Sequence, residues 1–154
     1  MAHIAYVNGR YLPHREAQVH VEDRGYQFSD GIYEYMAFYN RTLLDEDLHI
    51  RRLVRSLKEL SIPMPVSAAA LKLIMRELIA CNGRDHGGLY LQVTRGVMKR
   101  DHAFPGPLKP SLVMTLCAAK FPKPHEIKEG VSVITLPDQR WTRRDIKSVS
   151  LLAN

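Results

Sequence analysis

Gly31–Tyr39, GIYEYMAFY, decides how this chain is read. Aromatic and apolar side chains crowd it, which suits a largely buried strand. Asn40-Arg41 is placed to turn the chain back into a short return at 42–44. Beyond that return the period changes. Asp47 can cap a helix, and Leu48, Ile50, Leu53, Val54, Leu57 and Leu60 recur at helical spacing as one apolar face. Pro63 and Pro65 end that helix. Ser67 can cap a second, 68 to about 81, with Leu71, Ile74, Met75, Leu78 and Ile79 inward and Asn82-Gly83 closing it.

Working outward, residues 3–7 read as a strand, and Asn8-Gly9 is a hairpin turn into 10–12. Val19-His20-Val21 alternates briefly before Glu22-Asp23-Arg24-Gly25 breaks the pattern. On the other side, LYLQVT at 89–94 is a strand, and Arg95-Gly96 opens a long loop through Pro110. A strand follows at 111–118. Lys120-Phe121-Pro122-Lys123-Pro124 resembles a connector, and a last strand is expected at 131–136 before a loop holding Arg140, Trp141 and Lys147. Ser150 can cap a helix beginning at Leu151. Strands, two helices, then strands again predict an α+β fold, a two-layer domain of mostly antiparallel sheet with two helices over residues 1–120. Residues 121–154 are expected to be a connector and the beginning of a second domain that is cut short.

With 45% hydrophobic and 25% charged residues over 154 positions, the composition is that of an ordinary globular domain. No apolar run approaches the ~20 residues needed to span a bilayer. The segment MAHIAYVNGRYLP carries no basic stretch followed by an apolar core, so no secretory signal is expected. Cys81 and Cys117 have no Cys or His at zinc-site spacing; free thiols in a reducing cytoplasm are expected. The net charge of +6 raises nucleic-acid binding. The basic residues are spread along the chain, however, and Arg51-Arg52-Arg55 and Arg143-Arg144 sit in no nucleic-acid motif. Recognition of an anionic small molecule is the better use of that charge.

Several residues could carry chemistry. In RGVMKRDHAFPGP, Arg100 and His102 occupy alternating positions and face one side if the loop is extended. A guanidinium beside an imidazole makes a carboxylate trap, since Arg binds carboxylates through paired hydrogen bonds. On spacing alone, a solvated loop with incidental charges is the simpler account. The run from Asp23 to Glu34, DRGYQFSDGIYE, mixes charge, aromatics and glycines ahead of the strand. It presents Tyr33 to a ligand, or else is a turn held by Ser29 and Asp30. His49 and Arg52 lie three apart on one helix face, where Arg52 can hold a phosphate oxygen or join an exposed charge pattern. Lys147, among eight lysines, has no signature of its own. There is no Walker loop, dinucleotide fingerprint, paired His-x-x-x-His or nucleophile elbow.

Taken in order, DRGYQFSDGIYE, HIRRL, YLQVTRGVMKRDHAFP and RWTRRDIKSVSLLAN resemble the motifs of class IV (fold type IV) pyridoxal-phosphate aminotransferases, nearest the D-amino-acid (D-alanine) aminotransferases. The resemblance runs nearly end to end. It implies that Lys147 bonds covalently to pyridoxal 5'-phosphate and then shuttles the proton, that Arg52 contacts the cofactor phosphate, and that Arg140 lies near the cofactor. It implies that Tyr33, Arg100 and His102 hold the substrate carboxylate, the last two reaching in from the neighbouring subunit of a homodimer. An amine attacks an aldehyde only as the free base, so that role asks for burial or nearby positive charge, with Arg143 and Arg144 as candidates. The implied activity is transamination between a D-amino acid and a 2-oxo acid by a cytoplasmic enzyme, with no nucleic acid or membrane involved.

The Arg100-Asp101-His102 triplet points to D-amino acids within that family. Ser150 departs from the Ser-Leu-Asn-Leu-Leu that the resemblance leads one to expect after the lysine. Branched-chain aminotransferases and aminodeoxychorismate lyases share the overall plan and are the alternatives. A non-catalytic dimerisation or binding module is another. Members of the family run to nearly twice this length, with a β-barrel-like second domain. The resemblance therefore implies that these residues are the N-terminal half and inactive alone.

Overall fold

A computed structural model describes residues 3–119, 122–138 and 142–151. One six-stranded antiparallel sheet runs β2-β1-β6-β5-β3-β4, with two long helices on one face. Its strands are β1 (Ile4–Val7), β2 (Arg10–Pro13), β3 (Gly31–Tyr39), β4 (Thr42–Leu43), β5 (His86–Thr94) and β6 (Ser111–Cys117). Its helices are α1 (Arg24–Phe28), α2 (Glu46–Glu59), α3 (Ala68–Asn82) and α4 (Pro124–Glu129). The expected α+β architecture is found. No helix among the described residues is long and apolar enough to cross a membrane.

Local chemistry sets the elements. The β1–β2 turn places Asn8 and Gly9 at φ of 47° and 96°, the left-handed pair that a two-residue hairpin needs. Ser67 caps α3, its hydroxyl accepting from Ala70 N at 3.2 Å, and Gly83 closes that helix in left-handed conformation. Leu71, Met75 and Leu78 on α3 are fully buried, each contributing roughly 1.5–3 kcal/mol. They meet Leu53 and Leu57 of α2 and the inner row Ile32, Met36, Leu89, Leu91, Val93 and Met114.

Some expectations are corrected. The cap position of α2 is Asp45, at φ 52°, and Asp47 lies inside the helix, where its carboxylate takes Lys72 Nζ at 2.5 Å. Leu48 and Val54 of α2 are exposed, and Ser56 takes a buried place on the inner face. Arg24–Phe28, read as a broken turn, is a short helix because the Asp23 side chain accepts from Gly25 N at 2.8 Å. The strand expected at 131–136 is absent. Residues 131–138 form no ladder with any described residue, and Val131, Val133, Ile134 and Leu136 are exposed. An apolar run becomes a strand only against a partner edge. The short helix α4 precedes it, begun by Pro124 and closed by Gly130.

Candidate functional site

β4 covers only Phe38 and Tyr39 of β3, leaving the first half of that strand with an open edge. Residues 146–149 fill it. Tyr33 N donates to Lys147 O at 3.0 Å, Val149 N donates to Gly31 O at 3.1 Å, and Ile32 bridges Ser148. Period-2 alternation then sorts the side chains. Ile146 and Ser148 are buried, Ile146 in the core cluster, and Lys147 takes the other face. Its amine lies over the Tyr33 ring, 4.2 Å from the centroid. Tyr33 in turn stacks on Tyr90, 5.7 Å between centroids.

The backbone N of Lys147 also donates to the Ser56 hydroxyl on α2, at 3.4 Å. Arg52 precedes Ser56 by one helical turn, which puts their Cβ atoms about 5–6 Å apart. The amine-bearing segment is thereby fastened beside Arg52. The guanidinium is held by Glu34, which accepts from Arg52 Nε at 2.7 Å and Nη2 at 2.6 Å. His49 Nδ1 lies 2.8 Å from the same carboxylate. Glu34 is 1% exposed, whereas the Arg52 side chain keeps 41% of its surface. Among the described residues, no hydrogen bond uses Arg52 Nη1. That edge of the guanidinium is available to an anion.

Glu34 was missed in the sequence. Its signal was legible, because Ile32, Met36 and Phe38 alternate inward with it and an acid in that phase must be paired. The exposed charge pattern weighed for His49 and Arg52 is replaced by this buried carboxylate.

Arg100 and His102 meet on a third aromatic. The Arg100 guanidinium lies over the Phe28 ring at 4.8 Å, and the His102 ring approaches it edge-on at 5.4 Å. The loop is bent rather than extended, so Phe28 and not strand alternation brings the two together. Arg24 anchors the loop, donating from Nη1 to Asp101 O at 2.9 Å and from Nε to Asp30 at 2.8 Å. Arg95 forks onto Asp30 at 2.7 and 3.0 Å and donates to Leu60 O and Ser61 O, closing the end of α2. Burial works against an ionised Asp30, but the hydrogen bonds and charges of Arg95 and Arg24 outweigh it and hold its carboxyl below the ordinary aspartate value. Among the described residues, no hydrogen bond or ring contact joins Arg100 or His102 to Tyr33 or Lys147.

A cavity of about 380 Å³ continues along the face that carries Tyr90. Val149, Gln92 and Tyr26 contribute to its wall. The buried Asp23 beneath it is satisfied by Gly25 N, Thr94 Oγ1 and Ser111 Oγ at 2.7–2.9 Å. No group of three potential metal ligands occurs among the described residues. Arg140 lies outside the described residues. Arg143 and Arg144 do not turn toward the amine: Arg143 pairs with Asp145 and Glu59, and Arg144 with Asp138.

Known proteins resemble this chain in sequence and in fold. The D-alanine aminotransferase of Bacillus licheniformis is 47% identical over 150 residues, covering 96% of this chain and 52% of its own length. The chain thus spans about half the length of the curated relatives it matches. The branched-chain amino acid aminotransferase of Escherichia coli superposes with a TM-score of 0.71 at 18% identity, over 77% of this chain and 42% of that one. The 4-amino-4-deoxychorismate lyase of Pseudomonas aeruginosa gives 0.66 at 26% identity, over 82% of this chain and 44% of that one. The family model described as amino-transferase class IV matches residues 31–154, from the first residue of β3 through the lysine segment docked on its edge, and the chain belongs to that family.

Proposed function

We propose that the full-length protein is a pyridoxal 5'-phosphate-dependent aminotransferase that moves the amino group between a D-amino acid, such as D-alanine, and a 2-oxo acid. The observation that carries this reading is the docking of residues 146–149 on β3, which sets the Lys147 amine over Tyr33 and ties the Lys147 backbone to Ser56, one helical turn from Arg52. The side chains fit the group. An amine suits its aldehyde, and a guanidinium with one uncommitted edge suits its phosphate. Lys147 and Arg52 would hold it, and the family resemblance adds Arg140. Bound there, the cofactor supplies an aldehyde for covalent capture and a conjugated ring that takes up electrons from the α-carbon.

The chain's own residues do the rest. The Lys147 Nζ accepts the α-proton of the amino acid and returns it on the other side of the transfer. Glu34 keeps Arg52 in one orientation, so the phosphate end is fixed before the chemistry begins. Arg100, His102 and Tyr33 bind the substrate carboxylate and thereby choose which face of the α-carbon meets the amine. Arg100 and His102, gathered at Phe28 without a hydrogen bond or ring contact to Tyr33 or Lys147 among the described residues, are read as serving the active site of the partner in a homodimer. Residues 1–120 form the first domain, and 121–154 lead into the one that completes the cofactor site.

Borohydride reduction of the full-length holoprotein tests this directly. The expected result is a pyridoxyl label on the peptide containing Lys147, and Lys147→Ala lowers kcat about 1,000-fold or more. Label elsewhere, or none, refutes the assignment. Turnover of D-alanine against L-leucine separates the D-amino-acid reading from the branched-chain one. Formation of 4-aminobenzoate from 4-amino-4-deoxychorismate would instead indicate the lyase.

A further inference from the structure

We infer that Phe28 is a positioning residue for the carboxylate site: its ring holds Arg100 and His102 in one relative orientation. The inference rests on the reading that these two bind the substrate carboxylate. Its own evidence is separate. Phe28 is half-buried at the end of α1, and two guanidinium groups lie over its ring, Arg24 at 4.7 Å and Arg100 at 4.8 Å. The His102 ring meets the same ring at 63° and 5.4 Å, the edge-to-face geometry that the aromatic quadrupole favours. No hydrogen bond to the Arg100 or His102 side chain occurs among the described residues, so the aromatic contacts orient them.

The backbone of the triplet is tied down independently. Arg24, with its Nε on Asp30, donates from Nη1 to the carbonyl of Asp101, the residue between Arg100 and His102. The Asp101 carboxylate accepts from Ala103 N at 3.0 Å and shapes the following turn. One ring thus supports two side chains whose backbone midpoint is pinned by a cation over that same ring. An arginine that must present its fork to a carboxylate gains affinity from being ordered beforehand, and the negative face of Phe28 supplies that order without spending any of its donors.

The test uses the full-length holoprotein. In Phe28→Leu, which keeps an apolar side chain and removes the quadrupole, KM for both the amino acid and the 2-oxo acid is expected to rise about ten-fold. The cofactor absorbance stays unchanged, and kcat stays within about three-fold. Phe28→Tyr restores KM to near the parent value. Progressive ring fluorination at position 28, which drains the negative face and leaves the shape, raises KM stepwise and decides the matter if the leucine variant does not fold. Parent-like KM in the fluorinated series overturns the inference, as does equal impairment of the leucine and tyrosine variants. Arg100→Ala is run alongside. If it too leaves KM unchanged, the carboxylate reading itself fails; if it raises KM and ring fluorination does not, only the role of Phe28 fails.

Discussion

Asp30 and Glu34 stand four residues apart around the start of β3, and each is a largely buried carboxylate gripped by arginine, yet the two sites serve different ends. Around Asp30 the arginines are as buried as the acid: side-chain exposure is 6% for Arg24, 7% for Arg95 and 12% for Asp30. Arg95 spends its donors on the carboxylate and on carbonyls at the end of α2, and Arg24 on the carboxylate and Asp101 O. That node is closed, and it locks α1, α2 and the 95–110 loop to each other. Around Glu34 the acid is buried, but Arg52 is 41% exposed with one edge uncommitted. That node is open. The lesson is that an ion pair by itself says little about role; how far the arginine stands open to solvent separates a structural clamp from a binding site.

The largest expected difference between the nodes is in stability. Asp30→Ala leaves two buried guanidinium groups without a counter-charge and should cost about 3–5 kcal/mol in urea unfolding of the full-length protein. Glu34→Ala should cost less, about 1–3 kcal/mol, because Arg52 can turn into water once released. Equal losses would erase the distinction between closed and open. A smaller effect sharpens it. Arg52→Lys keeps the charge and loses the fork, so titration with pyridoxal 5'-phosphate should show affinity weakened about 10–100-fold, with unfolding free energy lowered by about 0.5–1.5 kcal/mol for the one hydrogen bond to Glu34 that is lost. Arg95→Lys should lower stability and leave cofactor affinity near that of the parent.

Much of this frame was legible because it depends on local period and capping. The two helices follow from the spacing of Leu53, Leu57, Leu71, Met75 and Leu78, and Ser67 and Gly83 mark the ends of α3 where they were expected. What failed depends on long-range partners. Asp47 has the right chemistry for a cap, yet Asp45 accepts the strained left-handed position and frees Asp47 for Lys72 on α3. The five-residue α1 is too short for periodicity to reveal and exists because Asp23 caps its first turn and Asp30 holds the side chain of its first residue, Arg24. The candidate site was legible as residue types in order: Lys147 lies over Tyr33, and its backbone is tied to α2 one turn from Arg52. Glu34 was missed although its inward phase on β3 marked it, whereas Phe28 supports other side chains and shows itself only when those contacts are formed.

Acid should separate the nodes most gently, since protonation removes one charge and leaves every atom in place. The Asp30 carboxyl is held below its ordinary value, the Arg95 and Arg24 contacts prevailing over the desolvation that opposes them. A depressed carboxyl favours the folded state fully above its unfolded pKa, about 3.9, and that contribution is lost as pH falls through the lower folded value. Unfolding free energies of the parent and Asp30→Asn should therefore differ by a constant amount from about pH 7 to pH 5 and draw together as pH falls below about 4. Asn keeps the shape and one acceptor but never ionises, so convergence isolates the charge from the packing. A gap that stays undiminished down to about pH 2.5 would mean that Asp30 steadies α1 and the 95–110 loop through hydrogen-bond geometry alone, and the closed node would then owe nothing to its ion pairs.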